Sequence, residues 1–283
     1  MSSFQGIWVP IVTPFQDGAI DFIGLHRLVG HLLEKHVAGI MVCTTTGEAA
    51  SLSRQEQLAV LDAVLQWVPA QQVVMGLAGN NQIELLHFQS EILKRPVAGL
   101  LVPAPSYIRP SQAGLEAFFR AVADASSVPI VLYDIPYRTG VTFEQATLLS
   151  IVKHPRISAI KDCGGNLANT LALLASGDVN VLCGEDVQIF NALCLGASGA
   201  IAASAHLHTE AFVALCQQVR DNQLAEARTT FFTLLPLINT MFIEPNPAPV
   251  KAGLALQGLI GSELRAPMQA ASARVQQALG ALL

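Results

Sequence analysis

The chain has 283 residues, of which 52% are hydrophobic and 13% charged, and it carries a net charge of −5. That balance excludes a disordered chain, and its length suits one large domain or two small ones. The negative charge, with lysines and arginines scattered along the chain, gives no general attraction to nucleic acid or to an anionic lipid surface.

Short apolar runs alternate with helical patterns in chain order. Strands are predicted at 6–12, 39–44, 73–76, 99–102, 130–133, 157–161, 179–183 and 199–202. Several are near-continuous apolar runs, as expected of strands covered on both faces. Amphipathic stretches fall between them at 21–35, 53–67, 111–125 and 142–153. Ser53 followed by Glu56 is a capping-box signature for the second of these. Eight strands, each followed by a helix or a helix-sized gap, predict a (β/α)8 barrel. An open doubly wound sheet would carry a glycine-rich turn after its first strand. Here that strand runs into Thr13-Pro14-Phe15-Gln16-Asp17-Gly18 instead. The expected division is a catalytic barrel over 1–222 and a helical region over 223–283 packed on it, with helices at 224–242, 249–259 and 267–282 around a proline-rich break. The weakly polar stretch 192–205 reads as a buried turn plus a strand.

The opening residues, 1–5, lack a basic region and a long apolar run, so no signal peptide is expected. Apolar stretches are interrupted well before membrane-spanning length. The five cysteines form no C-x-x-C pair and sit mostly in apolar surroundings, which favours a reducing cytoplasm. His206 and His208 form an H-x-H without a third ligand at suitable spacing, so a loop or interface role is expected of them rather than zinc.

In barrel enzymes the chemistry sits at the C-terminal ends of the strands. The polar residues that follow the apolar runs are therefore the candidates. They include Thr44-Thr45-Thr46-Gly47-Glu48, Ser106-Tyr107, the run from Tyr133 to Gly140, Lys161-Asp162 and Gly184-Glu185-Asp186. All three tyrosines of the chain fall in this set. Lys161 is one of only five lysines and ends a buried-looking strand. Loss of water around an ammonium favours the free amine, which attacks a ketone and forms a Schiff base. Asp162, one residue on, points to the opposite face of the strand and is not a simple ion-pair partner for that amine. No G-x-S-x-G elbow supports a serine hydrolase.

Thr45-Thr46-Gly47-Glu48, Tyr107-Ile108-Arg109-Pro110, Tyr133-Asp134-Ile135-Pro136-Tyr137-Arg138-Thr139-Gly140, Ile160-Lys161-Asp162 and the segment from Phe242 to Lys251 resemble the dihydrodipicolinate synthase / N-acetylneuraminate lyase family. The resemblance covers essentially the whole chain. It implies that Lys161 forms an imine with pyruvate and that Tyr133 moves protons, linked through Thr45 to Tyr107 of a neighbouring subunit. It further implies that Thr46 and Gly47 bind the pyruvate carboxylate, that Arg138 pairs with the carboxylate of an aldehyde, and that Gly184 and Ile201 line the pocket. The implied reaction is condensation of pyruvate with aspartate-semialdehyde, toward lysine and diaminopimelate. It needs no cofactor and no metal, and a homo-oligomer, a dimer or a dimer of dimers, carries it out. Cleavage of N-acetylneuraminate or a 2-keto-3-deoxy sugar acid, and a non-catalytic barrel that binds a keto acid, are the alternatives. Arg138 favours the first reaction over the sugar acids. The chain departs from the family pattern at Thr44, Ser106, Tyr137 and 77–80. Arg54 and Gln57 stand where lysine-inhibited members carry histidines, although Asn80 and Glu84 match. Weak or absent inhibition by lysine is expected.

Overall fold

The computed structural model describes residues 4–283. Eight parallel strands close a barrel: β1 (Gly6–Pro10), β2 (Gly39–Val42), β3 (Val73–Gly76), β4 (Gly99–Pro103), β5 (Ile130–Asp134), β6 (Ile157–Asp162), β7 (Asn180–Cys183) and β8 (Gly199–Ile201). β1 pairs with β8 on one side and β2 on the other. At the seam Gly6 is the register partner of Gly199, and a Cβ on Gly199 would lie 2.0 Å from the Gly6 carbonyl oxygen.

Strand alternation divides the apolar residues into two sets. Phe4, Trp8, Met41, Val74, Leu101, Val131 and Leu182 fill the barrel interior. Their neighbours along each strand face outward and form the larger core beneath the helices. The helices on that layer are α1 (Phe22–Glu34), α2 (Arg54–Trp67), α3 (Gln82–Ile92), α4 (Gln112–Asp124), α6 (Gln145–Ile151), α7 (Leu167–Ser176), α8 (Ile189–Cys194) and α9 (Thr209–Arg220). A four-residue helix, α5 (Pro136–Thr139), follows β5 directly. Both halves of the predicted capping box are present at α2. Beyond the barrel come α10 (Leu224–Met241), α11 (Ala248–Leu256) and α12 (Ala273–Gly280).

Several boundaries differ from expectation, each for a local reason. The second strand stops at Val42 because Cys43 takes φ 52° and turns the chain. The first stops at Pro10, and the Val12 N–H donates to the His206 Nε2 at 3.2 Å instead of to a neighbouring strand. The helix expected from 142 begins at Gln145, because the carbonyls of Thr142 and Phe143 accept from the side chains of Gln112 and Asn169. The helix expected from 267 begins after Ser272, which caps it. In the stretch 192–205 the first three residues finish α8 before the turn and strand follow. The sequence pattern assigns no individual range to a two-stranded ribbon, Phe15–Gln16 with Ala19–Ile20, or to the helices α3, α5, α7, α8 and α9.

His206 corrects the loop or interface expectation. It is fully buried, its Nδ1–H donates to the Ala203 carbonyl at 2.8 Å, and its Nε2 accepts from Val12. Burial holds its pKa down to about 4, so it is a neutral cross-link in the core. His208 meets the Leu282 carbonyl at 2.9 Å. Four of the five cysteines are buried, and Cys194 is exposed. No helix among the described residues is long and apolar enough to cross a membrane.

Candidate active site

The register of β5 and β6 sets Tyr133 directly beside Lys161, both pointing into the mouth of the barrel. Lys161 is 6% exposed, and its Nζ lies 4.5 Å from the centroid of the Tyr133 ring. A cleft of about 450 Å³ opens over them. Its wall carries Thr45, Thr46, Arg138, Gly184 and Ile201, together with residues of the segment from Phe242 to Asn246. The structure thus brings together Lys161, Tyr133, Thr45, Thr46, Arg138, Gly184 and Ile201.

Burial drives the Tyr133 phenol well above its ordinary pKa. Cys163 and Tyr137 add to the rise, while Arg138 and a hydrogen bond with the Thr45 hydroxyl oppose it. A phenol so held stays protonated near neutral pH and gives up its proton only to a strongly basic partner. Arg138 sits on α5 at the exposed lip, its guanidinium 5.8 Å from the Tyr137 ring centroid. A fork of N–H donors at that lip suits a carboxylate.

Gly184 is close to obligatory. A Cβ there would lie 2.3 Å from the Cys163 Sγ and 2.8 Å from Lys161 Cγ, so any side chain would displace the amine. Thr46 is buried, and its Oγ1 accepts from Asn246 Nδ2 at 2.9 Å. Gly47 lies beneath the cleft wall rather than on it. Its carbonyl accepts from Thr13, and a Cβ would meet the Ile11 carbonyl oxygen at 2.9 Å.

Tyr107 is apart from this group. It is 90% exposed, adopts φ 71° and is tied down by its backbone N–H, which donates to the Thr139 carbonyl at 3.1 Å. A second cavity of about 630 Å³ shares Thr45, Tyr133 and Arg138 with the cleft and continues to Arg54, Gln57, Asn80 and Ser106. Arg54 lies over the Phe88 ring at 4.2 Å and donates to Gln57 and to the Ala78 carbonyl. Asn80 accepts from the Ser106 N–H. The alternation argument for Asp162 holds: it faces away from the amine and accepts from the Gly164 N–H and the Thr170 hydroxyl.

Two features escaped sequence reasoning. Asn246, which reaches back from the C-terminal region to Thr46, had no signal beyond its motif. Asp134 is the other. It is the register partner of Asp162, is 5% exposed, and has one oxygen without a hydrogen-bond partner. Burial first, and Asp162 second, raise its pKa to about 7. Its folded-state pKa exceeds the ordinary value of 3.8, so the folded protein holds this proton more tightly than the unfolded chain. The proton's contribution to stability is complete at pH values below the ordinary pKa and is lost as pH rises through about 7. Asp134→Asn removes the charge at constant shape. The variant should match the parent near pH 4 and exceed it above pH 7, by at most about 4 kcal/mol. Denaturant unfolding across that range measures the gap, and a gap that narrows with rising pH contradicts this assignment.

The "Dihydrodipicolinate synthetase family" matches residues 3–283. A "4-hydroxy-tetrahydrodipicolinate synthase" of Pelobacter propionicus is 38% identical over 268 residues, covering 94% of this chain and 92% of the relative. A "4-hydroxy-tetrahydrodipicolinate synthase 2" of Clostridium acetobutylicum is 34% identical over 283 residues, covering 99% of each. The crystal structure of a dihydrodipicolinate synthase from Thermotoga maritima superposes with a TM-score of 0.92 at 30% identity, covering 99% of this chain and 97% of that one. With a barrel of this topology and a match along nearly its full length, the chain belongs to the dihydrodipicolinate synthetase family.

Proposed function

We propose that the protein condenses pyruvate with L-aspartate-4-semialdehyde to give 4-hydroxy-tetrahydrodipicolinate, a lyase-class step toward lysine and diaminopimelate. The observation that carries this reading is the buried Lys161 amine against Tyr133, with Arg138 at the lip of the same cleft. The near full-length relatives of that name support it.

Lys161 Nζ attacks the ketone carbon of pyruvate, and water leaves to form the imine. The imine withdraws electrons, so a methyl proton departs and an enamine forms. The enamine carbon bonds to the aldehyde carbon of the acceptor, and the new alkoxide takes a proton. The amino group of the acceptor then attacks the imine carbon, closing the ring and expelling Lys161 as the free amine. Tyr133, connected through Thr45, carries protons to and from these centres. Thr46 holds the pyruvate carboxylate on the turn that Gly47 permits beneath it, and Arg138 holds the carboxylate of the acceptor. Gly184 and Ile201 shape the pocket. The chemistry is carried by the lysine imine without an organic cofactor or a metal.

Within this reading Tyr107 completes the relay from a neighbouring copy. An aromatic 90% exposed, on a backbone held in the left-handed region and outside its own cleft, supports that role. The working form is then a homo-oligomer, a dimer or a dimer of dimers, acting in the cytoplasm on small molecules. The barrel over 1–222 carries the chemistry, and the region over 223–283 braces its mouth.

Treatment with pyruvate and borohydride, followed by peptide mass analysis, should find a pyruvyl adduct on the Lys161 peptide; an adduct elsewhere, or none, refutes the mechanism. Arg138→Ala should still form that adduct while losing about 10- to 100-fold in kcat/KM for the aldehyde, the value of a hydrogen bond between charged groups. Equal loss of both steps contradicts the role given to Arg138.

A further inference from the structure

The mouth of the cleft holds a second charge that the reaction scheme leaves unused. The Tyr137 phenol donates to Glu185 Oε1 at 3.2 Å, joining α5 to the loop after β7. Both residues line the cleft that contains Lys161 and Arg138. The two other carboxylates of this wall are occupied by backbone donors. Asp186 accepts from the Ser204 N–H at 2.6 Å, and Glu244 accepts from the Ser272 N–H at 2.9 Å. Glu185 is held by a neutral group alone, the Tyr137 phenol. Among the described residues it forms no ion pair. The Arg138 guanidinium lies 5.8 Å from the centroid of the same Tyr137 ring. The lip therefore offers one positive and one negative group that form no ion pair with each other.

We propose that Glu185, anchored by Tyr137, is a specificity-determining residue that receives the ammonium of the acceptor while Arg138 receives its carboxylate. The inference rests on the condensation reading and deepens it by assigning the group that recognises the amino end of the acceptor. A half-buried carboxylate without a cation gains most from a ligand that supplies one, because the charge has already lost part of its water. Tyr137 fixes one oxygen and leaves the other to the ligand. An aldehyde that lacks the amino group leaves Glu185 unpaired beside its own carboxylate, which is a repulsive contact as well as a missing one.

The test measures turnover of L-aspartate-4-semialdehyde and its competitive inhibition by succinate semialdehyde, which keeps the carboxylate and lacks the amine that closes the ring, in the unaltered protein and in Glu185→Gln. The expected result is a loss of about 10- to 50-fold in kcat/KM for the amino aldehyde, with the inhibition constant of succinate semialdehyde changed less than about threefold or lowered. Tyr137→Phe should give a smaller loss of the same selectivity. The pyruvyl adduct on Lys161 should form in both variants as in the parent, which establishes that the site is folded. Equal loss for both aldehydes, or no loss for either, overturns the role of Glu185 and leaves the condensation reading intact. Failure of the unaltered protein to turn over L-aspartate-4-semialdehyde while the adduct forms overturns the condensation reading, and this role with it.

Discussion

Replacing Lys161 with Ala should abolish the pyruvyl adduct and lower kcat by roughly 10⁴-fold, because the covalent path disappears and no other amine can take it over. None of the other four lysines lines the cleft, and Lys251 is committed to its ion pair with Glu48. Steady-state assays with both substrates, together with borohydride trapping, measure the two effects on one preparation. Overall folding should survive, since the truncated stem leaves a gap that faces the cleft instead of a sealed core. Activity within tenfold of the parent would refute the imine route outright.

The largest effect on stability should come from Lys251→Met. Lys251 is fully buried and forms an ion pair with Glu48, whose side chain is also buried. Its Nζ donates to the Glu263 carbonyl at 2.8 Å and lies 4.1 Å from the Phe15 ring centroid. Burial pushes its pKa down, and Glu48 opposes that. Removing one partner of such a pair strands the other charge in the interior, at a cost of about 3–5 kcal/mol. Replacing both Glu48 and Lys251 by apolar residues should recover most of the loss, because neither charge is then left alone. Denaturant midpoints for the two single variants and the double variant measure the coupling. A double variant as unstable as the sum of the singles would contradict the pairing. The effect should reach the chemistry as well. Glu48 follows Thr45, Thr46 and Gly47 on one tight turn, and its other oxygen accepts from the Arg265 N–H at 3.1 Å. Arg265 in turn forks onto both oxygens of Glu56 and reaches the Ser51 and Gly18 carbonyls. The C-terminal region thus buttresses the turn that holds two residues of the site.

Much of this architecture was legible before any coordinates. The barrel followed from the count and spacing of apolar runs, and Lys161 and Tyr133 stood out because they end such runs. Strand periodicity also gave the outward direction of Asp162. The interactions that escaped were long-range ones with no local pattern. Lys251 lies inside a helical stretch where a lysine usually reads as solvent-facing, and it is buried against Glu48, the Phe15 ring and the Glu263 carbonyl, which lie far from it in sequence or on another segment. His206 looked like half of a metal motif because sequence gives spacing and not burial. Asp134 beside Asp162 required the register of two strands 27 residues apart at their starts, Ile130 and Ile157. The Tyr137 contact with Glu185 joins positions 48 residues apart through loop conformations that periodicity does not encode.

The glycine pair where β1 meets β8 has its own consequence. Those two strands come from opposite ends of the barrel's sequence, so their pairing closes the longest loop at the highest entropic cost. At that joint Gly199 can accept no side chain, since even a methyl group would overlap the Gly6 carbonyl. A larger residue there would leave the sheet unzipped along one line, with two hydrogen-bonding edges bare. Such edges recruit other chains. Substitution at Gly199 should therefore surface as insoluble protein rather than as a slower enzyme.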